Sequence, residues 1–377
     1  MPRKIVAVPD SFKGTMSSRE VCGLIEQAAH TVFPDAEVVP LPVADGGEGS
    51  VDCFLAALGG ERVPARVTGP FGEPVDAFYG LLPDGSAVIE LAACAGLPLA
   101  GASPDPARTT TYGVGELMLR AWERGVRRFL CCLGGSATND GGCGAAAACG
   151  WRFLDADGNA FVPTGGTLSR IASVDPSGYR LRGAEVVTVC DVDSPLCGPE
   201  GAAYVFAPQK GADAAMCARL DAGLSHLADV LLRDTGADIR ALPGAGAAGG
   251  MGGGNAAFFH SALRPGIEVM LDAADFDRVC ADAGLVVTGE GRVDAQSARG
   301  KVPAGVARRC RRLGVPCVAL TGEAGDGAEL LYGEGIDGIF GICRVAAPFE
   351  QQKRRSQRNL LETAVSLFTF WKAVSRE

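Results

Sequence analysis

Histidine is scarce in this chain: His30, His226 and His260 are the only three, and none stands near a cysteine pair. That leaves no ligand spacing for a zinc site. With Gly-x-Ser-x-Gly also absent, a triad hydrolase lacks its parts. Basic residues are outnumbered, 35 Lys and Arg against 44 Asp and Glu for a net charge of -9. A nucleic-acid surface and an attraction to anionic lipid are thereby disfavoured, and any anionic ligand must be met by local basic groups. No apolar run approaches the ~18 residues that span a bilayer. The apolar stretch Ile5 to Val8 is stopped by Pro9 and Asp10, short of a signal-peptide core of about 7 to 15 residues. A globular, cytoplasmic protein with no membrane or nucleic-acid partner is expected. The 14 cysteines are scattered, with no C-x-x-C spacing, and read as reduced, mostly buried thiols rather than a disulfide scaffold. Walker A is missing too: Gly300-Lys301 is followed by valine and has no glycine five positions before it.

Glycine is what the chain has in excess, 53 residues of 377, about twice the ordinary share of ~7%. Much of it clusters beside acids, Ser, Thr and Lys, which bares backbone toward phosphate groups. Around these clusters the hydrophobic pattern alternates between strand and helix. Lys4 to Val8 reads as a buried strand, Ser17 and Glu20 as a capping box opening a helix to about Ala29, and Glu37 to Pro40 as a second strand. Ser50 is the expected cap of a helix through Ala57 that ends at Gly59 and Gly60. The same grammar returns late, with a strand Leu285 to Thr288, a helix Pro303 to Leu313 stopped by Gly314, and strands at Val315 to Leu320 and Gly338 to Ile342. An amphipathic helix is expected from about Gln352 to Val374. Between these ends the pattern is antiparallel: Val75 to Leu82 and Ala87 to Leu91 flank Pro83-Asp84-Gly85, and Trp151 to Leu154 and Asn159 to Val162 flank a second turn. The expected class is α/β, a split Rossmann-like (flavodoxin-like) parallel-sheet domain, residues 1–66 plus 284–377, with a second α/β domain, residues 67–283, inserted into it.

The loops after strands carry the chemistry, because open parallel sheets bind ligands beyond the carboxyl ends of their strands. Pro9-Asp10-Ser11-Phe12-Lys13-Gly14 places a lysine and bare backbone ahead of a helix start, suited to an anion. In Ala44-Asp45-Gly46-Gly47-Glu48-Gly49 the glycines let two carboxylates approach a ligand or hydrated cation. Leu133 to Gly142 combines four glycines with Ser136, Thr138 and Asn139 between a strand and a helix, so amides and hydroxyls can converge on phosphate oxygens. Asp191 and Asp193, delivered by the strand Glu185 to Cys190, can share a magnesium ion or divide metal and base duties. Lys210 offers a second lysine, and Gly289, Glu290 and Arg292 repeat the glycine-acid theme. Gly244 to Gly249 matches the dinucleotide fingerprint by letter, yet no apolar strand precedes it, and it reads as a packed or mobile glycine loop.

In order along the chain, PDSFKG from residue 9, ADGGEG from 44, LGGSATNDGG from 133, CDVDSPL from 190, QKGA from 209, GAGAAGG from 244 and TGEGRVDAQS from 288 resemble the type I glycerate kinase family. The segments span the chain to about Gly322, and the tail after about Glu350 carries no matching motif. The family pattern more often has Asn where Ser194 stands and Thr where Ser297 stands; both substitutions keep a short polar side chain. The resemblance implies a split Rossmann-like fold and phosphorylation of D-glycerate by ATP with Mg2+, giving 2-phosphoglycerate. It sets catalytic roles on Lys13, Asp191 and Asp45, with either acid as the base. Substrate binding falls to Asp10, Lys13, Gly46, Gly47, Glu48, Lys210 and Arg292. Nucleotide or phosphate binding falls to Gly134, Gly135, Ser136, Thr138, Asn139, Gly289 and Glu290, and the metal to Asp191 with Asp193. The competing readings are an NAD-dependent dehydrogenase using the glycine run at 244, and a non-catalytic sugar-acid sensor on the same scaffold.

Overall fold

A computed structural model of the chain describes residues 4–43 and 49–375. The chain divides into two compact units, one of residues 1–45, 56–58 and 265–377, the other of residues 46–55 and 59–264. No helix among the described residues is long and apolar enough to cross a membrane. All the cysteines are free thiols, and Cys343 alone is exposed, the others being buried or half-buried.

The first unit is built on a five-stranded sheet in which every pair is parallel, in the order Gly338–Gly341, Cys317–Ala324, Leu285–Val293, Lys4–Pro9, Glu37–Pro40. Lys4–Pro9 is apolar without alternation, and its residues from Ile5 on are buried, as a strand covered on both faces requires. Counted within the unit the order is 2-1-3-4-5, that of a flavodoxin-like sheet, and it reverses between Lys4–Pro9 and Leu285–Val293. The helix Ser18–Val32 opens with the Ser17/Glu20 capping box and buries Val21, Ile25 and Ala28 against the sheet. The tail is two helices rather than one, Phe349–Lys353 and Ser356–Val374, parted at Arg354 and Arg355. The longer one packs on the first helix, with Phe33 edge-on to Phe368 and Trp371 at centroid separations of 6.4 and 5.6 Å.

The second unit holds a six-stranded sheet in the order Ala262–Arg264, Glu185–Val189, Arg128–Cys132, Ala87–Glu90, Pro74–Leu81, Glu61–Thr68. The first four strands are parallel and the last two antiparallel. A small antiparallel sheet joins Ala160–Phe161, Arg152–Leu154 and Ser173–Asp175. Both hairpins read from the sequence are present.

Three sequence expectations need correction. Glu61–Thr68 pairs along its whole length with Pro74–Leu81, so residues 59–66 belong to the second unit, as does the stretch up to Leu55 at the start of Ser50–Leu58. Residues 265–283 belong to the first, where Arg309 in the helix Val302–Leu313 ties them down, its Nε 3.1 Å from Glu268 and its Nη1 3.0 Å from Asp277. Third, the late strand does not stop at Thr288 but runs to Val293. Its glycines allow this: a Cβ on Gly289 would stand 2.1 Å from the Leu320 carbonyl oxygen, so only glycine admits that approach.

Candidate active site

In the first unit the strand ends at the reversal point bring Asp10, Lys13, Glu290 and Arg292 together around a cavity of about 700 Å3. The Pro9↔Gly289 register starts both segments side by side, and the Asp10 amide donates to the Gly289 carbonyl at 2.8 Å. Asp10 is buried and accepts from the Ser11 amide at 2.6 Å, while Lys13 is exposed. Arg292 leans on Asp294 and Glu323, at 3.4 and 3.7 Å. Glu290 is 7% exposed and its Oε1 has no partner among the described residues. Burial pushes its carboxyl up to about 7; Ser297 and Lys301 pull it down, and the charges of Asp10 and Asp294 push it further up. Gly289, expected at a phosphate, has its open side taken up by Leu320.

In the second unit Arg128–Cys132 and Glu185–Val189 are neighbours in register, Cys132 opposite Val189. The loops that follow, Leu133 to Gly142 and Cys190 to Leu196, therefore leave the same sheet edge together. Within the first of these the hydroxyls turn inward. Ser136 Oγ accepts from the Thr138 amide at 3.0 Å and lies 3.0 Å from Thr138 Oγ1, and Ser136, Thr138 and Asn139 are all buried. Gly134 is half-buried and Gly135 exposed with φ 75°, so the backbone of this turn is what reaches the surface. Asp140 is wholly buried and accepts from the amides of Thr111, Gly142 and Gly144 and from Thr111 Oγ1. The start of the helix Cys143–Ala148 is thus held by the protein's own carboxylate.

Lys210 is no solvated lysine. It is 2% exposed, and its ammonium donates to the Thr138 carbonyl at 2.7 Å and to Ser136 Oγ at 3.4 Å. Desolvation pushes it down to about 7 against the opposing charge of Asp140. It holds the loop from beneath, through the Thr138 carbonyl and the Ser136 hydroxyl. Sequence reasoning read the glycine run after Gly244 as a packed or mobile loop, and it is packed; what it missed is that the run forms the floor of this loop. A Cβ on Gly249 would sit 2.1 Å from the Thr138 oxygen, and one on Gly254 2.0 Å from the Gly141 oxygen. The density of glycine was the available signal, and close backbone approach is its cause. Glu90, likewise missed, accepts from the Gly49 and Val51 amides at 2.9 and 3.1 Å. It caps Ser50–Leu58, whose N-cap is Gly49 rather than Ser50.

Asp191 and Asp193 are both exposed on the loop after Glu185–Val189. Among the described residues no group of three or more His, Cys, Asp or Glu converges as a metal site. Two hard carboxylates do fit magnesium, which takes one or two carboxylates and completes its shell with water and substrate phosphates. Asp45, Gly46, Gly47 and Glu48 lie outside the described residues.

A flavodoxin-like sheet and a second, largely parallel sheet, each with glycine, acid and lysine groups at its carboxyl edge, define an α/β enzyme built to handle small anionic ligands. The chain belongs to the glycerate kinase family, whose model matches residues 5–372, and it is a kinase, a phosphotransferase with an alcohol group as acceptor. It is 44% identical to the glycerate kinase of Bacillus subtilis (strain 168) over 365 residues, 96% of each chain. It is 43% identical to the glycerate 2-kinase of Escherichia coli (strain K12) over 361 residues, 95% of each. A crystal structure of a candidate glycerate kinase 2 from Salmonella typhimurium LT2 superposes with a TM-score of 0.89 at 41% identity, covering 100% of both chains.

Proposed function

We propose that this chain transfers the γ-phosphoryl group of ATP to the 2-hydroxyl of D-glycerate in the cytoplasm, releasing ADP and 2-phosphoglycerate. The family match along nearly the whole chain carries the reading, and the name of the Escherichia coli relative, a glycerate 2-kinase, supports the 2-position. The chemistry is positioning and charge neutralisation. Lys13, exposed at the mouth of its loop, meets phosphate or the glycerate carboxylate. Asp191, or its rival Asp45, takes the hydroxyl proton as the substrate oxygen bonds to the γ-phosphorus and the bond to the ADP oxygen breaks. The backbone at Gly134 and Gly135 faces phosphate oxygens, with Lys210 bracing that turn through Thr138. Asp191 and Asp193 would hold magnesium, which supplies charge neutralisation on the phosphates when bound. The dehydrogenase reading finds no support in a glycine run packed on Thr138 and Gly141.

The assay is product trapping: purified chain with ATP, magnesium and D-glycerate, mixed with enolase and no mutase. Immediate phosphoenolpyruvate is expected. A signal that waits for phosphoglycerate mutase identifies the 3-phosphate, sinking the 2-position while leaving the kinase; no phosphoglycerate at all sinks both.

A further inference from the structure

The tail from Phe349 on lies beyond the seven loop segments that mark the family, yet it forms one wall of the first unit's cavity, through Phe349, Gln352, Lys353 and Asn359. We infer that this cavity seats the base of an adenine nucleotide, with the tail as the base-recognising wall. The inference rests on the kinase reading and extends it by naming where the nucleotide lies and what selects it.

Four observations carry it. The cavity opens beyond the carboxyl ends of Lys4–Pro9 and Leu285–Val293, where the strand order reverses and doubly wound sheets take their ligands. Its volume of about 700 Å3 lies within the roughly 300–1,000 Å3 typical of sites for drug-sized ligands, and a three-carbon acid would leave most of it empty. Phe349 is 58% exposed, and its ring edge approaches the turn after Lys13, Cζ standing 3.9 Å from where a Gly14 Cβ would be. A planar apolar face open to solvent beside a lysine offers stacking for a base with a cation for its phosphates; Lys301 and Lys353 line the same space. Finally, the Gln352 side chain donates through Nε2 to the Val345 carbonyl, and its buried Oε1 has no partner among the described residues. An acceptor left unpaired is answered by a donor. The exocyclic amine of adenine is one, whereas the keto oxygen of guanine or hypoxanthine would set acceptor against acceptor.

The test is calorimetric titration of ADP and GDP into the full chain and three variants. Wild type is expected to prefer ADP over GDP by about ten-fold or more. Phe349→Ala should weaken ADP by about ten-fold with an unchanged melting curve, Phe349→Trp should keep its affinity within about three-fold, and Gln352→Leu should erase most of the preference over GDP. Unchanged ADP affinity in Phe349→Ala, equal affinity of wild type for the two nucleotides, or no ADP binding by wild type would each overturn the inference. Failure of the kinase reading is seen separately, as absence of phosphoglycerate from wild type with ATP and D-glycerate, a result that does not depend on these titrations.

Discussion

Glu290 in the first unit and Lys210 in the second are both nearly buried, 7% and 2% exposed, and desolvation moves the acid up and the ammonium down to meet at about 7. They differ in what surrounds them. Lys210 is satisfied inside the protein by Thr138 and Ser136, and the loop it braces lies on glycines that leave no room for a side chain. Glu290 keeps an oxygen without a partner among the described residues and borders a cavity of about 700 Å3. The same shifted pKa, reached from opposite sides, therefore belongs to an internally satisfied scaffold group in one unit and to a group bordering a cavity in the other. The hydrogen-bond inventory separates them where the titration does not.

The sharpest ways to break this comparison are kinetic. Asp191→Asn, nearly isosteric on an exposed loop of the second unit, should cut kcat by about 1,000-fold or more with little change in melting temperature, because it neither accepts a proton nor holds magnesium with full charge. Asp45→Asn is the companion. Loss of activity in that variant alone would exchange the two acids' roles. Lys13→Ala in the first unit should lower kcat/KM by at least about 100-fold, roughly 2.7 kcal/mol of transition-state stabilisation; near-normal kinetics would remove Lys13 from the site.

Smaller effects sharpen the contrast through pH. Between about 7 and 10 the unfolded chain keeps the Lys210 proton that the folded chain has shed, so folding stability gains with rising pH by at most about 1.4 kcal/mol per unit. Lys210→Met should lack that gain and lose about 1–3 kcal/mol by stranding the Thr138 carbonyl. Urea midpoints at pH 6, 8 and 9.5 measure both, and parallel curves for wild type and variant would show that Lys210 does not titrate there. Glu290 has the opposite sign. Its folded carboxyl is raised from about 4.5 to about 7, so its contribution is fully present below about 4.5 and fades as pH rises to about 7. Glu290→Gln should therefore be more stable than wild type above pH 7, by an amount on the order of 1 kcal/mol, and a deficit at pH 8 would mean that the carboxylate is better paired than its unbonded oxygen indicates.

What the sequence determined is whatever a few adjacent residues decide. Ser17 and Glu20 specify a helix start because both partners of the capping box lie within one turn. Asp84-Gly85 closes a hairpin and Ile5 to Val8 makes a covered strand for equally local reasons, and seven ordered loop segments were enough to point to the family. Tertiary structure decided what burial means for each group. Lys210 meets Thr138 across 72 positions, Glu90 caps an amide 41 positions away, and the Gly249 to Gly254 run becomes a floor only when the loop from Thr138 is laid on it. The tail joins the first unit's cavity for the same reason: Phe349 and Gln352 reach it because Ser356–Val374 packs on Ser18–Val32. Desolvation and hydrogen-bond satisfaction depend on neighbours brought together by folding, and no local pattern in the chain encodes them.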